Sequence, residues 1–168
     1  MNKRLGFVFV TLMVVPVALL GQEKPPTSSA PAAQSSTPAN PITASEKGFY
    51  SYVSSGVVGA AQKMPEENYS FKPTPEVRSF GQLVGHVADA SYMFCSQAIG
   101  EAIPAKDIEK TKTSKADLVA ALKDGVAYCN KAFESMTDAK GSQMMKLFNF
   151  DLAKLTVFSI NTAHTDEH

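Results

Sequence analysis

The chain lacks an excess of charge of either sign: its 168 residues carry 16 Lys and Arg against 16 Asp and Glu. That balance excludes the strongly basic face of a nucleic-acid binder. With 44% hydrophobic residues, it equally excludes an acidic disordered chain. Cysteine is scarce as well. Two residues, Cys95 and Cys129, cannot build a disulfide-dense mini-scaffold or a four-cysteine zinc module. Segments with a convincing period of two are absent, so no substantial sheet is predicted. Histidine occurs only three times, and two of the three lie within the last five residues.

Long apolar runs are missing but for one. Lys3 and Arg4 precede the stretch Leu5–Leu20, interrupted only by Gly6, Thr11 and Pro16. A basic start followed by a short apolar run is the pattern of a secretory signal peptide. The run is shorter than the roughly 20 residues a spanning helix needs. It contains no A-x-A triplet, and the best cleavage position follows Gly21. No Cys follows the run, which excludes a lipoprotein anchor. Export to the periplasm or the medium is expected, with membrane attachment only if the segment stays uncleaved. Residues 22–41 are rich in Pro, Ser, Thr, Ala and Gln, and read as a semi-extended tether. Removing residues 1–21 takes away Lys3 and Arg4 and leaves 14 basic against 16 acidic residues.

Residues 42–168 form the folded part, in which four helical segments are predicted. The first opens with the capping-box pattern Thr43-x-x-Glu46. Its stripe is Phe49, Tyr52, Val53, Val57, Ala60 and Met64, and Pro65 ends it. Residues 66–78, with Pro73 and Pro75, read as an extended connection. Ser79 caps a second helix reaching about Glu101, whose stripe includes Phe80, Leu83, Val84, Val87, Ser91, Phe94, Cys95 and Ala98. A third begins at Ser114 with Asp117 as capping partner and carries Leu118, Leu122, Cys129 and Phe133. Asp138–Gly141 is a turn signal. The last helix is expected from Asn149 or Asp151, apolar on several faces and therefore buried. The fold class is all-α, a four-helix bundle.

His164 and His168 stand four residues apart on one helical face, so both imidazoles can reach one ion. His86 falls at the margin of the second helix's stripe and can reach the space between helices. Bundle cores build metal sites from side chains on facing helices. The run His164-Thr165-Asp166-Glu167-His168 also matches H-x-x-E-H, with Glu167 as the would-be base. That pattern needs a further acidic ligand well downstream, which this sequence does not supply. Glu167 and Asp89 are the candidate bases, and both read better as solvated helix charges.

The stretch Pro65-Glu66-Glu67-Asn68-Tyr69-Ser70-Phe71-Lys72-Pro73-Thr74-Pro75-Glu76-Val77-Arg78-Ser79-Phe80-Gly81-Gln82-Leu83-Val84-Gly85-His86-Val87-Ala88-Asp89 resembles the connector and second helix of DinB/YfiT-like proteins. Ala163–His168 resembles their late helix with its paired His. The resemblance covers residues 42–168. It implies a four-helix bundle binding one divalent ion, such as Zn or Ni, through His86, His164 and His168. Some relatives are thiol-dependent transferases or isomerases. In that family further turns follow the paired His, so the last helix is expected to be truncated at His168.

The cysteine state depends on topology. Antiparallel second and third helices would place Cys95 about 9 Å and Cys129 about 22 Å from their shared loop, too far apart to bridge. Parallel helices would bring them level, at about 24 and 22 Å. Buried thiols are the favoured expectation. Two function classes follow: a metal-dependent transferase or hydrolase acting on a small molecule, or a non-catalytic extracytoplasmic interaction bundle. A homodimer is compatible with both.

Overall fold

The computed structural model describes residues 38–168. The export segment expected at residues 1–21 lies outside the described residues, as does most of the tether expected over 22–41. Helix α1 spans Pro41–Lys63 and begins within the last residue of that tether. Pro at the first helical position costs no hydrogen bond, because that amide has no partner in the helix anyway. Helix α2 spans Phe80–Ile99, α3 is the short turn Ile108–Thr111, and α4 spans Lys115–Ser135. A second short turn, α5, covers Asp138–Gly141. Strands β1 (Met144–Leu147) and β2 (Phe150–Ala153) follow, and α6 runs from Lys154 to Glu167. None of the described helices is long and apolar enough to cross a membrane.

Two helix starts behave as the local sequence dictates. The Ser79 hydroxyl accepts from the Gln82 amide, and the Gln82 side chain accepts from the Ser79 amide. Ser114 likewise accepts from the Asp117 amide. The start of α1 corrects the expected capping box. Thr43 turns away from Glu46, and its amide and hydroxyl both donate to Asp138 Oδ1 at 2.8 Å. The Ile42 amide donates to the other oxygen of the same carboxylate. A side chain 95 residues away thus satisfies the open amides of α1. These hydrogen bonds hold the Asp138 carboxyl below the usual carboxylate range.

The buried stripe of α1 also differs from expectation. Phe49 and Tyr52 are 57% and 78% exposed, while Thr43, Tyr50, Val53, Ser54 and Ala61 are buried. The inward face uses small polar residues that apolar periodicity does not register. Ser54 satisfies its hydroxyl on its own helix, at the Ser51 carbonyl, so its burial leaves no donor unpaired.

The hairpin corrects the expectation that sheet is absent and that the last helix begins near residue 149. β1 and β2 pair antiparallel, with Met144 opposite Ala153 and Leu147 opposite Phe150. Phe148, at the two-residue turn, takes a left-handed φ of 51°. Each strand has four residues, too few for alternation to stand out. Their inward side chains, Leu147 with Met145 and Leu152, join the core built on Tyr50, Phe94, Phe133 and Phe158.

The four long helices pack in a ring, α1 against α4 and α6, and α2 against the same two. Lys47 meets Glu134 at one end of α1, and the Lys115 ammonium reaches the Met64 carbonyl at the other. α1 and α4 are therefore antiparallel. α2 and α4 run parallel: Gly125 faces Ala88 and Ser91, and Tyr92 packs on Tyr128. The chain from Gly100 to Ser114 must accordingly cross back along the length of the helices. That crossover brings Cys95 level with Cys129. The two form a disulfide with Cα atoms 5.3 Å apart, which corrects the expectation of buried thiols. The Asn161 amide on α6 points at both sulfurs.

Candidate metal centre

His86 sits in the second turn of α2, while His164 lies in the last turn of α6 and His168 caps its end. Because α2 and α6 are antiparallel, the three rings meet. Nε2 of His164 lies 3.1 Å from Nε2 of His86 and 3.2 Å from Nε2 of His168. One nitrogen from each ring falls within 4.8 Å of the other two. All three sequence candidates are brought together, and no other group of three such ligands occurs among the described residues. Three imidazole nitrogens held tetrahedrally at about 2.0–2.1 Å from one ion stand about 3.3 Å apart, so the spacing and the donor set fit a divalent cation.

Burial grades across the site. His86 and His164 are half-buried and His168 is exposed. The edge of Phe94 packs on His164 at a centroid distance of 5.8 Å. Burial, followed by the neighbouring His168 and His86, pushes the His164 pKa from its ordinary 6.5 down to about 4. The His86 pKa is lowered too, chiefly by burial and then by Arg78. Both rings are therefore neutral near pH 7, the form that ligates a metal.

Sequence reasoning missed Glu109, which lies in a stretch read as loop. Its Oε2 is 3.2 Å from His86 Nδ1, and its Oε1 accepts from Arg78 Nε at 2.8 Å. An ionised carboxylate only accepts, so His86 donates from Nδ1 and its Nε2 lone pair faces the cluster. One sign of this neighbour was available. Gly85 precedes His86 within the helix, and a Cβ there would lie 2.7 Å from Glu109 Cα. A glycine inside a helix often marks such a close approach of another backbone.

The two candidate bases fare differently from the ligands. Both Asp89 carboxylate oxygens accept backbone amides, those of Ile108 and Glu109 at 2.9 and 3.0 Å. Asp89 thus anchors α3. Glu167 is exposed at the end of α6. Among the described residues, neither makes a hydrogen bond to a ring of the His cluster.

A family model, that of the DinB superfamily, matches residues 55–168, a span that includes all three His. No curated protein matches the chain.

Proposed function

The chain belongs to the DinB superfamily, and on that premise we propose that it is an exported four-helix-bundle metalloprotein holding one divalent ion through His86, His164 and His168. The observation that carries this reading is the convergence of three Nε2 atoms from two antiparallel helices. Three imidazoles leave further coordination positions open, where an ion supplies Lewis-acid polarisation for group transfer or hydrolysis of a small molecule.

The protein's own residues divide the remaining work. Phe94 and the burial of His164 keep water from the inner side of the cluster. His168, exposed, forms the side a substrate approaches. Burial keeps His164 and His86 deprotonated and ready to ligate. Glu109 holds one ring nitrogen of His86. The Cys95–Cys129 bridge supports the export reading, because disulfides persist in oxidising compartments.

Metal analysis by mass spectrometry of the purified protein, beside His164→Ala, tests the proposal. About one divalent ion per wild-type chain and a large loss in the variant are expected. Equal and negligible metal in both would remove the basis of the reading.

A further inference from the structure

Resting on the reading of His86 as a ligand, we propose that Glu109 is a positioning residue of the metal centre. It fixes His86 as the Nδ1–H tautomer and aims the Nε2 lone pair at the ion. The carboxylate is placed on the ring by several contacts at once. Its Oε2 meets His86 Nδ1 at 3.2 Å, while Arg78 Nε donates to its Oε1 at 2.8 Å. The two oxygens therefore have separate partners, and the carboxylate cannot rotate away from His86 without breaking the Arg78 bond.

The backbone carrying Glu109 is clamped as well. α3 has only four residues and no side-chain cap of its own, and it enters through Asp107 at a left-handed φ of 60°. A single helical turn does not hold itself together in water. Asp89, on α2 one turn beyond His86, accepts the Ile108 and Glu109 amides. Ile108 is buried against the α2–α4 core. Gly85 lets the turn approach until a Cβ would lie 2.7 Å from Glu109 Cα and 2.9 Å from its amide nitrogen. Gly85, His86 and Asp89 lie on one stretch of one helix, so the ligand and the clamp for its orienting carboxylate move as a unit. Carboxylates that orient ligating His rings in this way typically change metal affinity about 10–100-fold.

The test uses the full chain labelled with 15N-histidine, whose three rings give three resolvable spin systems. In metal-free wild-type protein at neutral pH, His86 is expected as the Nδ1–H tautomer. Glu109→Ala is expected to lose that tautomer and to raise the Kd for Zn2+ about 10–100-fold. Glu109→Gln, which keeps a neutral acceptor, is expected to retain the tautomer and lose less affinity. Gly85→Ala, which removes no ionisable side chain but displaces the turn and with it the Glu109 carboxylate, is expected to behave like Glu109→Ala. Far-UV circular dichroism establishes that each variant keeps its helix content. If Glu109→Ala keeps the wild-type tautomer and binds Zn2+ as wild type does, the inference is overturned while metal binding stands. If wild-type protein binds no Zn2+, the metal reading fails, and the tautomer in metal-free protein still decides the role of Glu109.

Discussion

Reduction of the Cys95–Cys129 bridge is expected to weaken the fold by several kcal/mol without unfolding it. The bridge joins residues 34 apart in sequence. For a closed loop of about that length, the chain-entropy relation gives about 3.8 kcal/mol at 25 °C. Both cysteines are fully buried and would remain packed as thiols, so little transfer free energy adds to this figure. Domains of this size are stable by about 5–15 kcal/mol, and most native molecules should therefore survive reduction. At a urea dependence of about 2 kcal/mol per M, the midpoint should fall by about 2 M. The assay is urea unfolding followed by far-UV circular dichroism, with and without reductant. Thiol titration in denaturant should give no free thiol before reduction and two after it. Coincident midpoints, or two free thiols in protein never exposed to reductant, would refute the reasoning. The outcome also bears on topology, since antiparallel α2 and α4 would hold these cysteines too far apart to bridge.

Metal-free protein is expected to lose stability as pH falls from about 6.5 towards 4. His164 is held near 4 in the fold, against an ordinary 6.5, so the unfolded chain binds the extra proton first. The contribution is present above pH 6.5 and is lost as pH falls through the folded value; urea midpoints at pH 7, 5.5 and 4.5 should show it, with a shallower decline in His164→Gln. Phe158→Ala should destabilise by about 3–5 kcal/mol. Phe158 is fully buried, with its ring centroid 4.1 Å from that of Phe133, and a change below about 1 kcal/mol in thermal or urea unfolding would contradict the core assignment.

What the sequence revealed divides by range. Caps at Ser79 and Ser114 were legible because donor and acceptor lie three residues apart. The cap of α1 was not, because its carboxylate, Asp138, is brought from the start of α5, 95 residues along the chain from Thr43. His164 and His168 were legible as a pair through helical spacing alone. That His86 joins them depends on the antiparallel approach of α2 and α6, which no local pattern encodes. Glu109 escaped notice because it sits on a four-residue turn docked through Asp89 and Gly85 rather than on a periodic helix. Phe49 and Tyr52 misled, since large apolar side chains suggest a core face, whereas α1 buries Thr43 and Ser54 in their place. The cysteines were decided by the crossover from Gly100 to Ser114, whose direction the loop composition does not specify.

X-ray absorption of the zinc-loaded protein reports the ligand set of the ion itself. Three imidazole nitrogens at about 2.0–2.1 Å with no sulfur scatterer are expected, with loss of one imidazole contribution in His86→Ala. A sulfur shell, fewer than three imidazoles in the wild type, or a spectrum unchanged in His86→Ala would contradict the three-His centre.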